Sequence, residues 1–340
     1  MKNYKKKYLA NLQLPLHVQE KSAFYGKRCL YCYEQLFDSS SDFHTACNKR
    51  FFGQLNTPQL AYNLSELQGL ATQVIQSQMA VTGVQAKVSL SLYKKATENL
   101  TKKLTIVGLY GDYILKPPSE YYAQLPELES VTMHMAAVCG INVVPHSLVK
   151  LQDGTLCYIT KRVDRKRKGK LHMEDMCQLS ERLTEDKYKG SHEQVAKLIL
   201  KYSATPLLDV TNFYEQVLFS FLTGNADMHL KNFSLLEIEG QGLSLCPAYD
   251  LVPTVLVNPA DTEELALTLN AKKRKLKYND FLMAFENGGL NKKVLDKTLE
   301  LFLYAKPEIL AVLDKSFVSD ELKIKYEVLI HQRYAQLEIK

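Results

Sequence analysis

The apolar residues of this chain pass from a mainly two-residue period to a helical one near Asp164, and that change limits the possible folds more than any other feature. Before it, apolar residues alternate in short runs: VSLSLY over Val88–Tyr93, LTIVG, YILKPP stopped by Pro117 and Pro118, then VVPHSLVKL and TLCYITKRV around Asp153-Gly154. Alternation of period two predicts half-buried strands, and an Asp-Gly turn between two of them predicts a hairpin. One helix is expected among these strands, over 127–139, with Leu128, Val131, Met135 and Val138 at helical spacing and Gly140 as its stop. After Asp164 the spacing becomes three and four, over 173–202, over 210–223 and in three stretches beyond Asn279. The last of these puts Leu322, Tyr326, Leu329, Ile330 and Tyr334 on one stripe behind a Ser319 cap. The expected fold class is α+β and bilobal: a β-rich lobe over 74–165, an all-helical lobe over 166–340, and a small separate segment over 1–60.

Composition sets the frame for that reading. With 340 residues, 46% hydrophobic and 24% charged, the chain is neither disordered nor fibrous and is long enough for a large core. The net charge of +6 permits anionic partners, nucleotides or nucleic acid, without requiring them. No apolar run reaches the roughly 18 residues of a spanning helix, so no membrane association is expected. The start imitates a basic signal peptide, but Asn11, Gln13, Pro15 and His17 break its apolar region. Cys139, Cys157, Cys177 and Cys246 lie scattered in apolar segments, as reduced buried thiols do. The expected location is the cytoplasm. The basic runs 166–170 and 272–277 read as solvated turns.

The remaining three cysteines are grouped. Cys29 and Cys32 form C-x-x-C, and His44 and Cys47 form H-x-x-C eleven residues on. Two short knuckles with two soft ligands each suit a tetrahedral Zn2+, and four protein ligands leave no open position, so the site would be structural. A redox C-x-x-C competes, but it calls for a strand-to-helix context and no partnered H-x-x-C.

The densest polar constellation is GNADMHLKN over 224–232. Asp227 and Asn232 stand five apart, the offset of a kinase catalytic loop, where the aspartate takes the hydroxyl proton and the asparagine binds magnesium. Gly224 and Asn225 would supply the turn, and His229 would orient the loop. Asp250 follows in PAYDLVPT, at the exit of the strand-like LSLC, where a second metal contact would sit. Lys116, ending YILK, could neutralise phosphates, and Glu129, thirteen residues on in the helix, could hold that lysine. Each of these residues alone has an ordinary explanation as a cap, a turn or a solvated charge. Their order is what argues for phosphoryl transfer: Gly turn, strand Lys, helix Glu, Asp-x4-Asn, Asp. There is no G-x-G-x-x-G, Walker sequence, H-R-D, D-F-G or A-P-E, which excludes an ordinary Ser/Thr/Tyr kinase.

On the stretches TGVQAK, YILKP, LES followed by GINVVP, KRVDR, HMEDMCQ, GNADMHLKNFS, PAYDLVPT and ELALTLN, the chain resembles the HipA-type toxin kinases over roughly 78–335. The resemblance implies a bacterial Ser/Thr protein kinase using ATP and Mg2+. It makes Asp227 the catalytic base, Asn232 and Asp250 the magnesium pair, Lys116 the ATP-phosphate lysine, and Gly83, Gln85 and Lys87 the phosphate-side loop, with Gly224, Asn225, His229 and Lys231 in the supporting loop. It also implies a HipB-like DNA-binding antitoxin as partner, so that DNA is met only through the antitoxin, and an aminoacyl-tRNA synthetase as a protein target whose phosphorylation arrests translation. Two departures stand out. The larger amino-terminal β subdomain of single-chain members needs more sequence than the segment before Thr82 supplies. The chain therefore resembles either the split HipT kinases, whose subdomain is a separate HipS-like protein, or short finger-bearing relatives. The autophosphorylation region reads Ala80-Val81-Thr82-Gly83, so that only Thr82 offers a hydroxyl. Two other readings remain: a non-catalytic binding module acting with an antitoxin on DNA, and a small-molecule kinase.

Overall fold

The computed structural model describes residues 27–38, 40–69, 87–93, 102–107, 111–166 and 169–338. Thr82, Gly83 and Gln85, three expected site residues, lie outside the described residues.

The first lobe is built on a six-stranded sheet in the order β1-β3-β2-β4-β6-β5. Its strands are β1 (Gln59–Leu60), β2 (Val88–Tyr93), β3 (Lys103–Ile106), β4 (Tyr113–Lys116), β5 (His146–Lys150) and β6 (Leu156–Lys161). Alternation aims them as expected: Val88 and Leu90 of β2, and Tyr113 and Leu115 of β4, enter one core, while Ile114 and Lys116 turn to the other face, which lines a cleft. The Asp153-Gly154 turn closes the β5–β6 hairpin, with Gly154 at φ 82° in the left-handed region. Helix α1 (Thr45–Phe52) packs Phe51 and Phe52 into the same core as the sheet, together with Cys29, Leu30 and Leu36.

The expected single helix of this lobe is α2 (Leu125–Val138). Pro126 stands in its first turn, where a missing N–H costs nothing, and Gly140 follows its end at φ 81°. Its apolar stripe faces the second lobe rather than the sheet core, and Leu128, Val131 and Met135 share a cluster with helices of that lobe.

The second lobe contains α3 (His192–Tyr202), α4 (Pro206–Thr223), α5 (Tyr278–Asn287), α6 (Lys292–Lys315) and α7 (Asp320–Gln336). It is not all-helical. An antiparallel sheet of β7 (Met173–Asp175), β8 (Ser234–Ile238) and β9 (Gly242–Leu245) lies within it. The helix expected over 173–202 is correspondingly divided. Met173–Asp175 pairs with β8, Asp175 caps a short helix that ends at Leu179, and a new capping box, Ser191 with Gln194, opens α3. The apolar spacing ran on across a polar loop and hid the break. Among the described residues, no helix is long and apolar enough to cross a membrane.

Candidate active site

Lys116 ends β4 on the cleft side and is only 4% exposed. A buried ammonium is tolerated only when it is paired, and this one has two partners. It donates to Glu129 Oε1 of α2 at 2.7 Å and to Asp250 Oδ1, and it stands 5.4 Å from the centre of the Tyr158 ring. Burial pulls its pKa down, but the Asp250 and Glu129 carboxylates outweigh burial and raise it, so Lys116 keeps its proton. Burial pushes Glu129 up to about 7 against the pull of Lys116. Burial opposes the charge on Asp250 too, yet Lys116 and Lys87 hold its carboxyl well below the usual carboxylate range. Lys87 Nζ lies 3.1 Å from Asp250 Oδ2. Asp250 itself sits at φ 61°, a left-handed conformation that aspartate tolerates and that aims its side chain back at β4.

The second group is the turn after α4. Gly224 ends that helix at φ 71°, and a Cβ on it would meet Leu329 Cδ2 at 2.5 Å. Asn225 Oδ1 accepts the Asp227 N–H at 3.1 Å, and the Ala226 N–H donates to Thr254 Oγ1 at 2.8 Å. The Asp227 carbonyl accepts the His229 N–H at 2.8 Å and Asn232 Nδ2 at 3.0 Å. The amide nitrogen of Asn232 is thereby spent on the loop, and its oxygen is the end left to meet a cation. The Tyr249 hydroxyl joins this loop to Asp250's by donating to the Lys231 carbonyl at 3.0 Å. Lys231 itself pairs with Asp175 at 2.8 Å. Lys87, Lys116, Glu129, Asp227, His229, Lys231, Asn232 and Asp250 all line one cleft of about 1260 Å³ between the lobes, whereas Gly224 and Asn225 lie behind it as supports.

One residue of this site has no motif to announce it. Tyr188 donates its hydroxyl to Asp227 Oδ1 at 2.5 Å and meets the His229 ring edge-on, with centroids 5.0 Å apart. Its loop is tied to the turn by the Leu230 N–H, which donates to the Lys187 carbonyl at 3.1 Å. Burial raises the pKa of Asp227, and the Tyr188 hydrogen bond pulls the other way. Burial, with Lys187 beside it, lowers His229 to about 4 and keeps its ring neutral. The sequence offered only a tyrosine between two lysines ahead of Gly190, in a stretch that looked helical.

The knuckle residues also meet. The ligand atoms of Cys29, Cys32, His44 and Cys47 all lie within 4.8 Å of one another. Sulfurs around a tetrahedral zinc with bonds of ~2.3 Å stand roughly 3.8 Å apart, so the set fits the ion. His44 Nε2 donates to the Gln35 carbonyl at 2.9 Å, which leaves Nδ1 bare, 3.4 Å from Cys32 Sγ and 3.7 Å from Cys47 Sγ. An imidazole oriented through its far nitrogen is the usual state of a metal-binding histidine.

A sheet lobe whose lysine is held by a helix glutamate, a helical lobe with an Asp-x4-Asn turn, and a cleft between them together make a protein-kinase-like fold. The sequence profile of the HipA-like C-terminal domain matches residues 79–306, and the chain belongs to that family. A Sinorhizobium fredii protein provisionally named a kinase, Y4dM, is 31% identical over 232 residues, which are 64% of this chain and 56% of that protein. A Haemophilus influenzae protein, also provisionally named a kinase, is 27% identical over 311 residues, 82% of this chain and 86% of its own length. The fold is similar to that in the Shewanella oneidensis toxin–antitoxin complex of HipA, HipB and operator DNA, with a TM-score of 0.63 at 22% identity over 79% of this chain and 71% of that one.

Proposed function

We propose that this chain is an ATP- and Mg2+-dependent serine/threonine protein kinase and the toxin of a HipBA- or HipBST-type toxin–antitoxin system. The observation that carries the reading is the convergence of the Lys116–Glu129 pair, Asp227, Asn232 and Asp250 on one cleft. Asp227 orients the acceptor hydroxyl and takes its proton as the oxygen bonds to the γ-phosphorus and ADP departs. Lys116, fixed by Glu129, turns its charge to the nucleotide phosphates, and Lys87, Gly83 and Gln85 belong to the phosphate-side loop. Asn232 and Asp250 would hold magnesium, which when bound disperses the charge of the transferred group. A carboxylate and an amide oxygen that line one cleft are a fitting donor set, since magnesium takes its remaining contacts from phosphates and water. Positioning and electrostatics do most of the catalysis.

The division we propose assigns 74–165 to the nucleotide and 166–340 to catalysis, with 1–60, the basic lead-in and zinc knuckle, joined to the nucleotide lobe through β1 and the shared core rather than separate from it. The partners we infer are a HipB-like antitoxin, through which the chain meets DNA, and a separate HipS-like protein; the target is a cytoplasmic protein hydroxyl, with an aminoacyl-tRNA synthetase the first candidate. Autophosphorylation, on this reading, runs through Thr82, and a phosphosite map with phosphate only at other residues would refute it. The target experiment is γ-labelled ATP with Mg2+ in a bacterial lysate, wild type beside Asp227→Gln. A labelled protein band absent with the variant supports the kinase and points to its target; identical labelling with both contradicts the assignment of Asp227.

A further inference from the structure

The turn between Cys29 and Glu34 grips three separate elements of the fold. The Leu30 carbonyl accepts the Leu148 N–H of β5 at 3.2 Å and the Ser147 hydroxyl at 3.1 Å. The Tyr31 carbonyl accepts from His134 Nε2 of α2 at 2.7 Å. Tyr33, 2% exposed, stacks on the His134 ring with centroids 4.3 Å apart and donates its hydroxyl to Ser130 Oγ at 2.7 Å. Phe317, between α6 and α7, meets the Tyr33 ring edge-on at 5.3 Å, and Glu34 pairs with Lys315 at 2.7 Å.

Two features make Tyr33 the centre of this grip. Ser130 directly follows Glu129, and His134 is one turn further on the same face of α2, so a hold on both fixes the rotation and height of the helix that presents Glu129 to Lys116. Tyr33 also sits at φ 65°, a conformation unfavourable for an aromatic residue, which the surrounding turn must impose. That turn is closed by the Tyr33 N–H donating to the Cys29 carbonyl at 2.9 Å, and its two cysteines belong to the Cys/His cluster. An ion joining Cys29 and Cys32 would lock the turn that throws Tyr33 into α2.

We propose that the knuckle is a metal-set brace for α2, and that Tyr33 is a positioning residue for the Lys116–Glu129 pair, so that zinc loading tightens Mg2+–nucleotide binding. This rests on the kinase reading of the cleft for its consequence, though not for its mechanics. An ion held there would act on the glutamate-bearing helix through Tyr33 and Ser130, with no part in the chemistry.

The test uses the full chain, zinc-loaded or chelated, beside Tyr33→Phe with its zinc retained. Two quantities are read: hydrogen exchange of the peptide over 125–138 against one over 206–223, and affinity for ADP with Mg2+. Zinc removal is expected to speed exchange in 125–138 by about tenfold or more and to weaken ADP binding by about tenfold, with 206–223 still protected. Tyr33→Phe should reproduce part of both effects at unchanged zinc content, which a role confined to metal binding would not do, and it keeps the test valid if chelation unfolds the chain. Exchange in 125–138 that ignores Tyr33→Phe while the zinc-free knuckle alone loosens would overturn the proposal. If the zinc-loaded wild type binds no nucleotide, the kinase reading fails by itself, and exchange in 125–138 still decides for or against the brace.

Discussion

Asp227 is subject to two opposing influences, burial that raises its pKa and the Tyr188 hydroxyl that lowers it. In its proposed role as base Asp227 works ionised, so activity is expected to fall as pH drops through its pKa. Removing the donor in Tyr188→Phe should raise that pKa and move the acid limb of the kcat/KM profile to higher pH, with a smaller loss on the plateau. An unmoved limb would mean that the Tyr188 contact has no bearing on catalysis. Lys116 permits a second prediction, about stability. In Lys116→Met, Glu129 loses its counter-charge in a buried site where its pKa already stands at about 7. A carboxyl whose folded pKa is raised keeps its full stability below the unfolded value and loses it as pH rises through the folded one. The variant should therefore lose more Tm relative to wild type at pH 8 than at pH 5, and Lys116→Met/Glu129→Gln should remove most of that difference. Most of these residues were legible in the sequence, because Asp227, Asn232 and Asp250 sit in short, dense motifs. Tyr188 was not, since its contact crosses 39 residues and its loop carries no motif.

Among the elements, Gly224 shows how a turn is specified by space as much as by conformation. Ala at this position meets both a positive φ and the Leu329 side chain, so Gly224→Ala should cost about 2–4 kcal/mol, strain and overpacking together. Gly154→Ala has the same sign of φ and nothing within 4 Å, so it should cost only about 1 kcal/mol. Midpoints of chemical denaturation compare the two directly, and equal losses would remove Leu329 from the account. The strands and α2 could be read from sequence because alternation and Gly or Pro stops are local signals. Of the second-lobe sheet only β9 was legible, in the strand-like LSLC; the rest was not, because β7 is three residues long and pairs with β8 some sixty residues away. Nothing in Met173–Asp175 distinguishes a short edge strand from the first turn of the helix expected there.

At the scale of the molecule, the described residues form two hydrophobic clusters, and α2 sides with the helical one although it lies between strands of the sheet lobe in sequence. Thr132 of α2 meets the Tyr326 hydroxyl of α7 at 2.8 Å, and the Ser319 N–H donates to Gln124 Oε1 at 2.8 Å. The helix that presents Glu129 is thus seated on the lobe that carries Asp227, while Lys116 comes from the sheet. The cleft is assembled from both lobes, and the sequence motifs and their order could name its parts without showing their meeting. The central claim is that this cleft transfers a phosphoryl group with Asp227 as the base. Its most direct test is purified chain with ATP and Mg2+, phosphate incorporation into protein measured for wild type and Asp227→Asn beside their ADP affinities. The account predicts incorporation that falls by about 10²–10⁴-fold in the variant with ADP binding little changed. Equal incorporation by both proteins, or none by a nucleotide-bound wild type free of antitoxin and supplied with its protein target, would contradict it.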